Sequence, residues 1–190
     1  MKTRMNRMLV MTVAVIALVG CATTPPSSES RSGMARLTAA DESAVRAVLL
    51  ELAKSWNEHD MNAMHIIDTE DVEWINVVGH YWRGKTNVYK GHAAIHQQVP
   101  VTVTNPGSKG MAAGTSMRVE SATIRSIAPG VAVAVATMHF GASLDPRYPW
   151  VVAAKTRGSF TMVKRDGIWN IAHFQNTRID PEAENDDLTK

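Results

Sequence analysis

A chain of 190 residues, 45% of them hydrophobic, with a formal net charge of +2 has enough apolar content for one ordinary domain with a hydrophobic core. Three of its 20 lysines and arginines lie in an N-terminal segment with an export pattern, and the remaining 17 basic and 18 acidic residues give no reason to expect nucleic-acid binding. The single cysteine excludes an internal disulfide, so the core must stabilise the domain.

The N-terminus has the pattern of a secretion signal. Lys2, Arg4 and Arg7 precede an uncharged apolar run from Met8 to Val19, which is too short to span a bilayer comfortably. We therefore expect residues 1–20 to direct export and to be absent from the folded domain.

The apolar run ends at Leu18-Val19-Gly20-Cys21, which resembles the lipobox of bacterial lipoproteins. By that resemblance, signal peptidase cleaves before Cys21, and lipids attached to this cysteine hold the protein at the membrane. Ala22 follows, whereas aspartate at that position is the familiar inner-membrane retention signal, so the resemblance implies the outer membrane, facing the periplasm. The alternatives are an ordinary cleaved signal with an incidental cysteine, or an uncleaved anchor.

Composition divides the rest of the chain into three parts. Residues 21–37 contain the cysteine and a stretch rich in Thr, Pro, Ser and Gly, which predicts a flexible tether. Residues 38–180 have the length of one domain and contain no internal repeat or second linker. Residues 181–190 are acidic and polar, and they predict a frayed tail.

The predicted domain begins with two helices. Thr38 and Asp41 approximate a capping box, and the apolar residues behind them are spaced by three and four positions, as on an amphipathic helix: Val45, Val48, Leu49, Leu52 and Trp56. The segment from Asn57 to Asp60 interrupts this pattern, and Asp60 is placed to cap a short second helix through Ile67.

A strand pair, a third helix and three long strands follow. We expect strands at Val72 to Val78 and His80 to Gly84, a helix from Thr86 to Gln98, a loop from Asn105 to Gly114, and strands at about Thr115 to Ile127, Val131 to Phe140 and Trp150 to Lys164. Helices gathered early and strands late predict an α+β domain in which a strongly curved antiparallel sheet packs against about three helices.

A final strand forms a predicted hairpin with the strand before it, because Asp166-Gly167 tolerates positive φ in a two-residue turn. Strict alternation places four of its side chains on one face: Trp169, Ile171, His173 and Gln175. The other face carries Asn170, Ala172, Phe174 and Asn176, and Asn176 turns inward only if a bulge intervenes. A face that begins apolar and ends polar predicts a pocket with His173 and Gln175 near its mouth.

Short motifs run through the domain in a defined order: Trp56-Asn57 at the end of the first helix, Asp71 to Gly79 (DVEWINVVG), Trp82-Arg83-Gly84, Gly91, Ile95-His96, Asp166 to Ile171 (DGIWNI) and Asn176-Thr177. Together they resemble the SgcJ/EcaC family of SnoaL-like proteins, in the nuclear transport factor 2-like superfamily. The resemblance covers nearly all of the mature domain. It implies a cystatin-like cone, often dimeric, with an apolar cavity that opens at the wide end.

The resemblance implies less about activity than about fold. The superfamily includes ketosteroid isomerase, polyketide cyclases, epoxide hydrolases, dehydratases and many non-catalytic pocket or assembly domains, so function must be argued from the site. The family often has a histidine directly before the terminal Asn-Thr, where this chain has Gln175, with His173 two residues earlier.

Three side chains are candidate catalytic groups for proton transfer: His96, His173 and Glu120. His96 matches the family motif, and His173 lies either at the pocket mouth or in a hydrogen bond at a dimer contact. Glu120 and Glu73 are the carboxylates within predicted strands, and either would be a general base with a raised pKa if it faced the cavity. For Glu73 we expect the solvent-facing arrangement.

The candidate ligand-binding residues are aromatic and polar side chains that we expect near the cavity: Trp74, Asn76, Trp82, Tyr148, Gln175 and Asn176. Aromatic residues in a small domain more often belong to the core, so a packing role is the alternative for them. His92 and His96 have the spacing of one helix face, but the zinc-protease acid is absent between them, and we expect no metal. We also expect no cofactor, because the chain has no phosphate loop, dinucleotide fingerprint or serine nucleophile elbow.

The sequence thus predicts a lipid-anchored periplasmic homodimer that encloses a small apolar or amphipathic molecule and uses, if it is catalytic, cofactor-free acid–base chemistry such as isomerisation, cyclisation or hydrolysis. The alternative is a non-catalytic binding or dimerisation module of the cell envelope. A histidine and a carboxylate that converge in the cavity would favour the enzyme. A cavity filled by side chains such as Trp74 and Met64 would favour the module.

Overall fold

The fold is described from a computed structural model, for residues 37–96, 112, 114–141 and 154–182. These residues all belong to one compact unit, Met34–Lys190. Cys21, Tyr148, residues 1–36 of the predicted signal and tether, and the last eight residues lie outside the described part of the chain, so the predictions made for them stay predictions. None of the described helices combines the length and apolar character needed to cross a membrane.

The first helix, α1 (Ala39–Glu58), forms as its capping and apolar spacing predict. The Thr38 hydroxyl accepts a hydrogen bond from the Asp41 backbone N–H at 3.0 Å, which satisfies one of the free donors at the helix start. Val45, Leu49 and Leu52 are buried on one side of the helix. These contacts anchor α1 against the sheet.

Two shorter helices follow α1. Helix α2 (Met61–Ile66) begins after Asp60, whose carboxylate accepts from the Ala63 N–H at 3.0 Å, as predicted. Helix α3 (Lys85–Ile95) begins after Gly84 and ends earlier than the sequence indicated. A Cβ at Gly91 would lie 2.5 Å from Cε2 of Trp82, so this glycine lets the indole pack directly on the α3 backbone.

In the described part of the chain, six strands form one curved sheet: β1 (Asp68–Ile75), β2 (Tyr81–Arg83), β3 (Met117–Ala128), β4 (Val131–Phe140), β5 (Ala154–Arg165) and β6 (Ile168–Arg178). Their order across the sheet is β2-β1-β6-β5-β4-β3. The α+β class and the curved sheet against three helices are therefore confirmed. The antiparallel arrangement needs one correction, because β1 pairs with β6 in parallel and the sheet is mixed.

The hairpin between β5 and β6 has the predicted turn and an unpredicted bulge. Asp166 and Gly167 have φ values of 50° and 82°, the positive pair that this turn requires. Further along, Met162 pairs with Ile171 and Thr161 pairs with His173, so Ala172 is the extra residue of a β-bulge.

The bulge reverses the alternation of β6. Before it, Trp169 and Ile171 are buried; after it, Phe174 and Asn176 are buried while Gln175 is exposed. The prediction that His173 and Gln175 share a face with Trp169 is therefore wrong, because one inserted residue turns the rest of the strand over. The inward turn of Asn176 follows from the same feature.

Candidate functional site

A cavity of about 240 Å³ lies between the helices and the concave face of the sheet. Its walls are mainly large apolar side chains, including Leu52, Trp56, Met64, Trp74, Ile95, Met117, Met138, Phe140 and Phe174. The lining residues Val77 and Val78 are 41% and 39% exposed and mark the mouth together with exposed Arg178. An apolar cavity of about 150 Å³ binds benzene, which has six non-hydrogen atoms. In proportion, the cavity of this protein has room for roughly ten non-hydrogen atoms.

Two buried polar groups in this apolar wall lack partners. Thr156 and Asn176 are 2% and 8% exposed, and both line the cavity. Neither the Thr156 hydroxyl nor the Asn176 Oδ1 atom has a hydrogen-bond partner among the described residues. Buried polar atoms are normally satisfied, so these two are positioned to bind a polar group of a ligand or a water molecule.

Asn76 also lines the cavity, but its side chain already has a structural role. Its Oδ1 atom accepts hydrogen bonds from the backbone N–H groups of Val78 at 3.1 Å and His80 at 2.9 Å. The carboxamide therefore holds the turn between β1 and β2. We assign Asn76 to shaping the mouth of the cavity.

His92 lines the cavity, a role that its sequence pattern did not predict. It is 1% exposed, and its Nδ1 atom lies 3.1 Å from the carbonyl oxygen of Val88. A carbonyl only accepts, so Nδ1 carries the proton, and Nε2 is the acceptor of the neutral ring. Burial, followed by the charges of His65 and His96, holds the His92 pKa well below its usual value.

His96 caps the end of α3, beside the cavity but outside its lining. Its Nδ1 atom lies 2.6 Å from Nδ1 of His59, and its ring meets Trp56 edge-on with centroids 4.5 Å apart. Burial is the main reason that the His96 pKa falls to about 3, with His59 and His65 contributing. Neutral His96 is thus a packing and hydrogen-bonding residue rather than a proton donor near neutral pH.

Behind the cavity, His65 and Asp68 form a buried pair. His65 Nδ1 donates to Asp68 Oδ2 at 2.5 Å, and the two side chains are 3% and 0% exposed. His65 Nε2 and Asp68 Oδ1 have no partner among the described residues. Burial raises the pKa of Asp68, and the neighbouring His65 opposes that rise. The ring centroids of His65 and His92 are 4.9 Å apart, so the cavity-lining His92 contacts the pair directly.

The remaining candidates lie away from the cavity. Glu120 is exposed on β3 and contacts His139, and the Nδ1 atom of His173 lies 3.6 Å from the partly exposed Glu73 carboxylate. Trp82 packs on Gly91 and His92 without lining the cavity. The three candidate catalytic groups are therefore not brought together.

Metal ligands and acidic side chains are scarce around the cavity in the part of the chain that the structure describes. Across residues 37–96, 114–141 and 154–182 no three His, Cys, Asp or Glu side chains are arranged to hold a metal ion. No acidic residue is among the described residues that line the cavity. Within its described wall, the polar chemistry of the cavity comes from neutral groups and one arginine.

Solved structures share this fold. An uncharacterised protein with a cystatin-like fold from Caulobacter vibrioides is 27% identical, with a TM-score of 0.66, covering 78% of this chain and 96% of that chain. A protein of unknown function from Pseudomonas putida KT2440, described as NTF2-like after nuclear transport factor 2, is 13% identical, with a TM-score of 0.59 and coverage of 77% and 93%. A ketosteroid isomerase-like protein from Erwinia carotovora atroseptica is 13% identical, with a TM-score of 0.54 and coverage of 73% and 96%.

The sequence itself matches no protein-family model and no curated protein. The similarity to these structures identifies the architecture, and at this level of identity it does not transfer an activity. The chain contains a domain with the cystatin-like, nuclear transport factor 2-like fold.

Proposed function

We propose that this chain is a lipid-anchored periplasmic protein of the SgcJ/EcaC type whose cone binds a small apolar or amphipathic molecule. The observation that carries the proposal is the cavity, which has room for roughly ten non-hydrogen atoms and a wall of large apolar side chains. Trp74 and Met64 line this space without filling it. The contrast between an apolar wall and the unpartnered Thr156 and Asn176 groups supports an amphipathic ligand.

The geometry supports binding better than acid–base catalysis. His96, His173 and Glu120 lie outside the cavity wall, and the described wall has no carboxylate. His92 is the histidine that lines it, and its lowered pKa makes the ring a weak base that suits hydrogen-bond acceptance. The proposed role is therefore reversible binding of a small molecule at the cell envelope.

We also propose a homodimer, formed through the outer face of the sheet. Val131, Val133 and Val135 alternate along β4 on the side away from the core and are exposed or partly exposed. A row of valines on an open sheet face supports contact with a second apolar surface. Ligand binding is proposed for the cavity of each chain separately and does not depend on this dimer.

Binding in the cone is tested with a neutral aromatic probe of suitable size. Full-length protein in phospholipid nanodiscs is expected to bind cinnamamide with one site per chain, measured by isothermal titration calorimetry. Ala154→Phe places a ring in the cavity wall and is expected to reduce binding at least tenfold. Ala128→Phe, an equal change at an exposed position on β3, is expected to bind like the wild type and controls for partition into lipid. Equal binding by all three proteins, or by none, would contradict the proposal.

Lipid anchoring is tested by metabolic labelling in bacteria with an alkyne-bearing palmitate analogue. We expect wild-type chain to carry the label and Cys21→Ser to lose it, because the proposed acylation requires that thiol. Ala22→Ser keeps the cysteine and is expected to stay labelled. A Cys21→Ser protein that retains the label would contradict the lipoprotein proposal.

A further inference from the structure

We infer that the ligand of the cone is a small aryl carboxylate, with its carboxylate bound by Arg178 and Thr156 and its ring in the apolar part of the cavity. This inference rests on the proposed function and names the class of ligand. It depends on one charge, two unpartnered polar groups and the chemistry of the surrounding wall.

The charge comes from Arg178, the last residue of β6 and an exposed part of the cavity lining. Within the described part of the chain it has no acidic partner, and no described lining residue is acidic. A guanidinium beside an apolar cavity attracts anions, and its planar fork matches a carboxylate with two parallel hydrogen bonds. Among the described residues no acid compensates this charge, and the guanidinium therefore favours an anionic group at the mouth.

The register of the β5–β6 hairpin places the polar groups together. Thr156 pairs directly with Arg178, so their side chains leave the sheet as neighbours on the same face. Asn176 lies two residues before Arg178 and shares that face. These three residues form what we call the Arg178 cluster. Thr156 and Asn176 are at least nine-tenths buried, and the Thr156 hydroxyl and the Asn176 Oδ1 atom have no hydrogen-bond partner among the described residues.

The Arg178 cluster has the donors that a carboxylate needs. A hydroxyl supplies one O–H, a carboxamide supplies two N–H groups, and a guanidinium supplies five. A bound carboxylate would satisfy the Thr156 hydroxyl. The Asn176 oxygen remains available to accept from a hydroxyl or amide substituent of the ligand, so the cluster also accommodates hydroxylated acids.

The rest of the wall specifies the other end of the ligand. Trp74 and Phe174 lie with ring centroids 4.2 Å apart, and Trp56 and Phe140 meet edge-on at 5.2 Å. Aromatic side chains in this arrangement contact the planar ring of an aromatic ligand by offset stacking or edge-to-face packing, which favours such a ring over a flexible alkyl chain. A volume of about 240 Å³ is too small to enclose a long fatty acyl chain or a four-ring skeleton, and it fits one ring with a short acid side chain.

The test compares cinnamate with cinnamamide, which have the same number of non-hydrogen atoms and differ in charge. Equilibrium dialysis against full-length protein in nanodiscs of neutral lipid, at pH 7.5, is expected to give at least tenfold tighter binding of cinnamate. Arg178→Gln should remove this preference, Arg178→Lys should keep most of it, and Thr156→Val should weaken cinnamate about threefold. Arg125→Gln, a matched change at an exposed residue outside the cavity wall, should keep the wild-type preference.

The outcomes distinguish carboxylate recognition from the proposed ligand binding in the cone. Equal affinity for the two probes, or a preference that survives in Arg178→Gln, overturns the carboxylate inference while binding in the cone still stands. Failure of both probes to bind overturns the proposed function as well. Cinnamate binding that is weakened equally by Arg178→Gln and Arg125→Gln would mark a general charge effect and would also overturn the inference.

Discussion

Replacement of His65 by leucine is expected to lower the free energy of unfolding by about 3–5 kcal/mol, because it leaves Asp68 buried without its ion-pair partner. The two side chains are almost completely buried, and Asp68 Oδ2 lies 2.5 Å from His65 Nδ1. Removal of one member of such a pair strands the other in a medium of low polarity. Urea denaturation at pH 7, followed by tryptophan fluorescence, measures the loss.

Two further variants test whether this loss belongs to the pair. The double variant His65→Leu with Asp68→Leu is expected to be more stable than His65→Leu alone, since no buried charge remains. His173→Leu removes a histidine from the partly exposed pair with Glu73 and is expected to change stability by less than about 1 kcal/mol. A double variant that is less stable than His65→Leu would contradict the assignment.

Acidification from pH 7 to pH 5 is expected to destabilise the fold through His92 and His96. Both have folded-state pKa values below the ordinary value of 6.5, through burial first and neighbouring histidines second. The unfolded chain therefore binds more protons than the folded chain below pH 6.5, and stability falls as the pH falls. For His96, whose folded-state pKa is about 3, the loss at pH 5 is about 2 kcal/mol, from a gap of roughly 1.5 pH units below the unfolded-state value. The lowered pKa of His92 adds to this loss in the same direction.

The measurement is the free energy of unfolding in urea at several pH values between 7 and 5. Asp68 acts in the opposite direction, because its raised pKa means that the folded chain takes up a proton more readily than the unfolded chain. His96→Gln is expected to reduce the loss of stability between pH 7 and pH 5 by about 2 kcal/mol, the share that belongs to His96. A His96→Gln protein with the same pH dependence as the wild type would show that the His96 ring is not held neutral by the fold.

The features that the sequence predicted correctly are local ones. Thr38, Asp60 and Asp166-Gly167 act through their own backbone neighbours, so their caps and turn were visible without knowledge of the fold. The parallel pairing of β1 with β6 joins segments about a hundred residues apart, and nothing in either strand encodes it. Sheet direction at that edge follows from how the whole chain packs.

The site was less predictable because it depends on one inserted residue and on burial. Ala172 carries no signal of a bulge, so strict alternation placed His173 and Gln175 inward and left Asn176 on the other face. Trp74, Asn76 and Asn176 do line the cavity. Arg178 and His92 were passed over as ligand contacts, although Arg178 ends the hairpin strand and His92 follows Val88 at helical spacing.

The bulge at Ala172 also bears on how such a cone acquires new ligands. Side chains alternate between the two faces of a strand, so the bulge decides which face each residue after Ala172 occupies. Deletion of Ala172 would therefore move every later side chain of β6 to the opposite face of the sheet. Phe174 and Asn176 would turn outward, and His173 and Gln175 would enter the cavity. A single insertion or deletion in β6 can therefore replace several cavity-lining side chains at once, whereas substitutions would have to change each position separately.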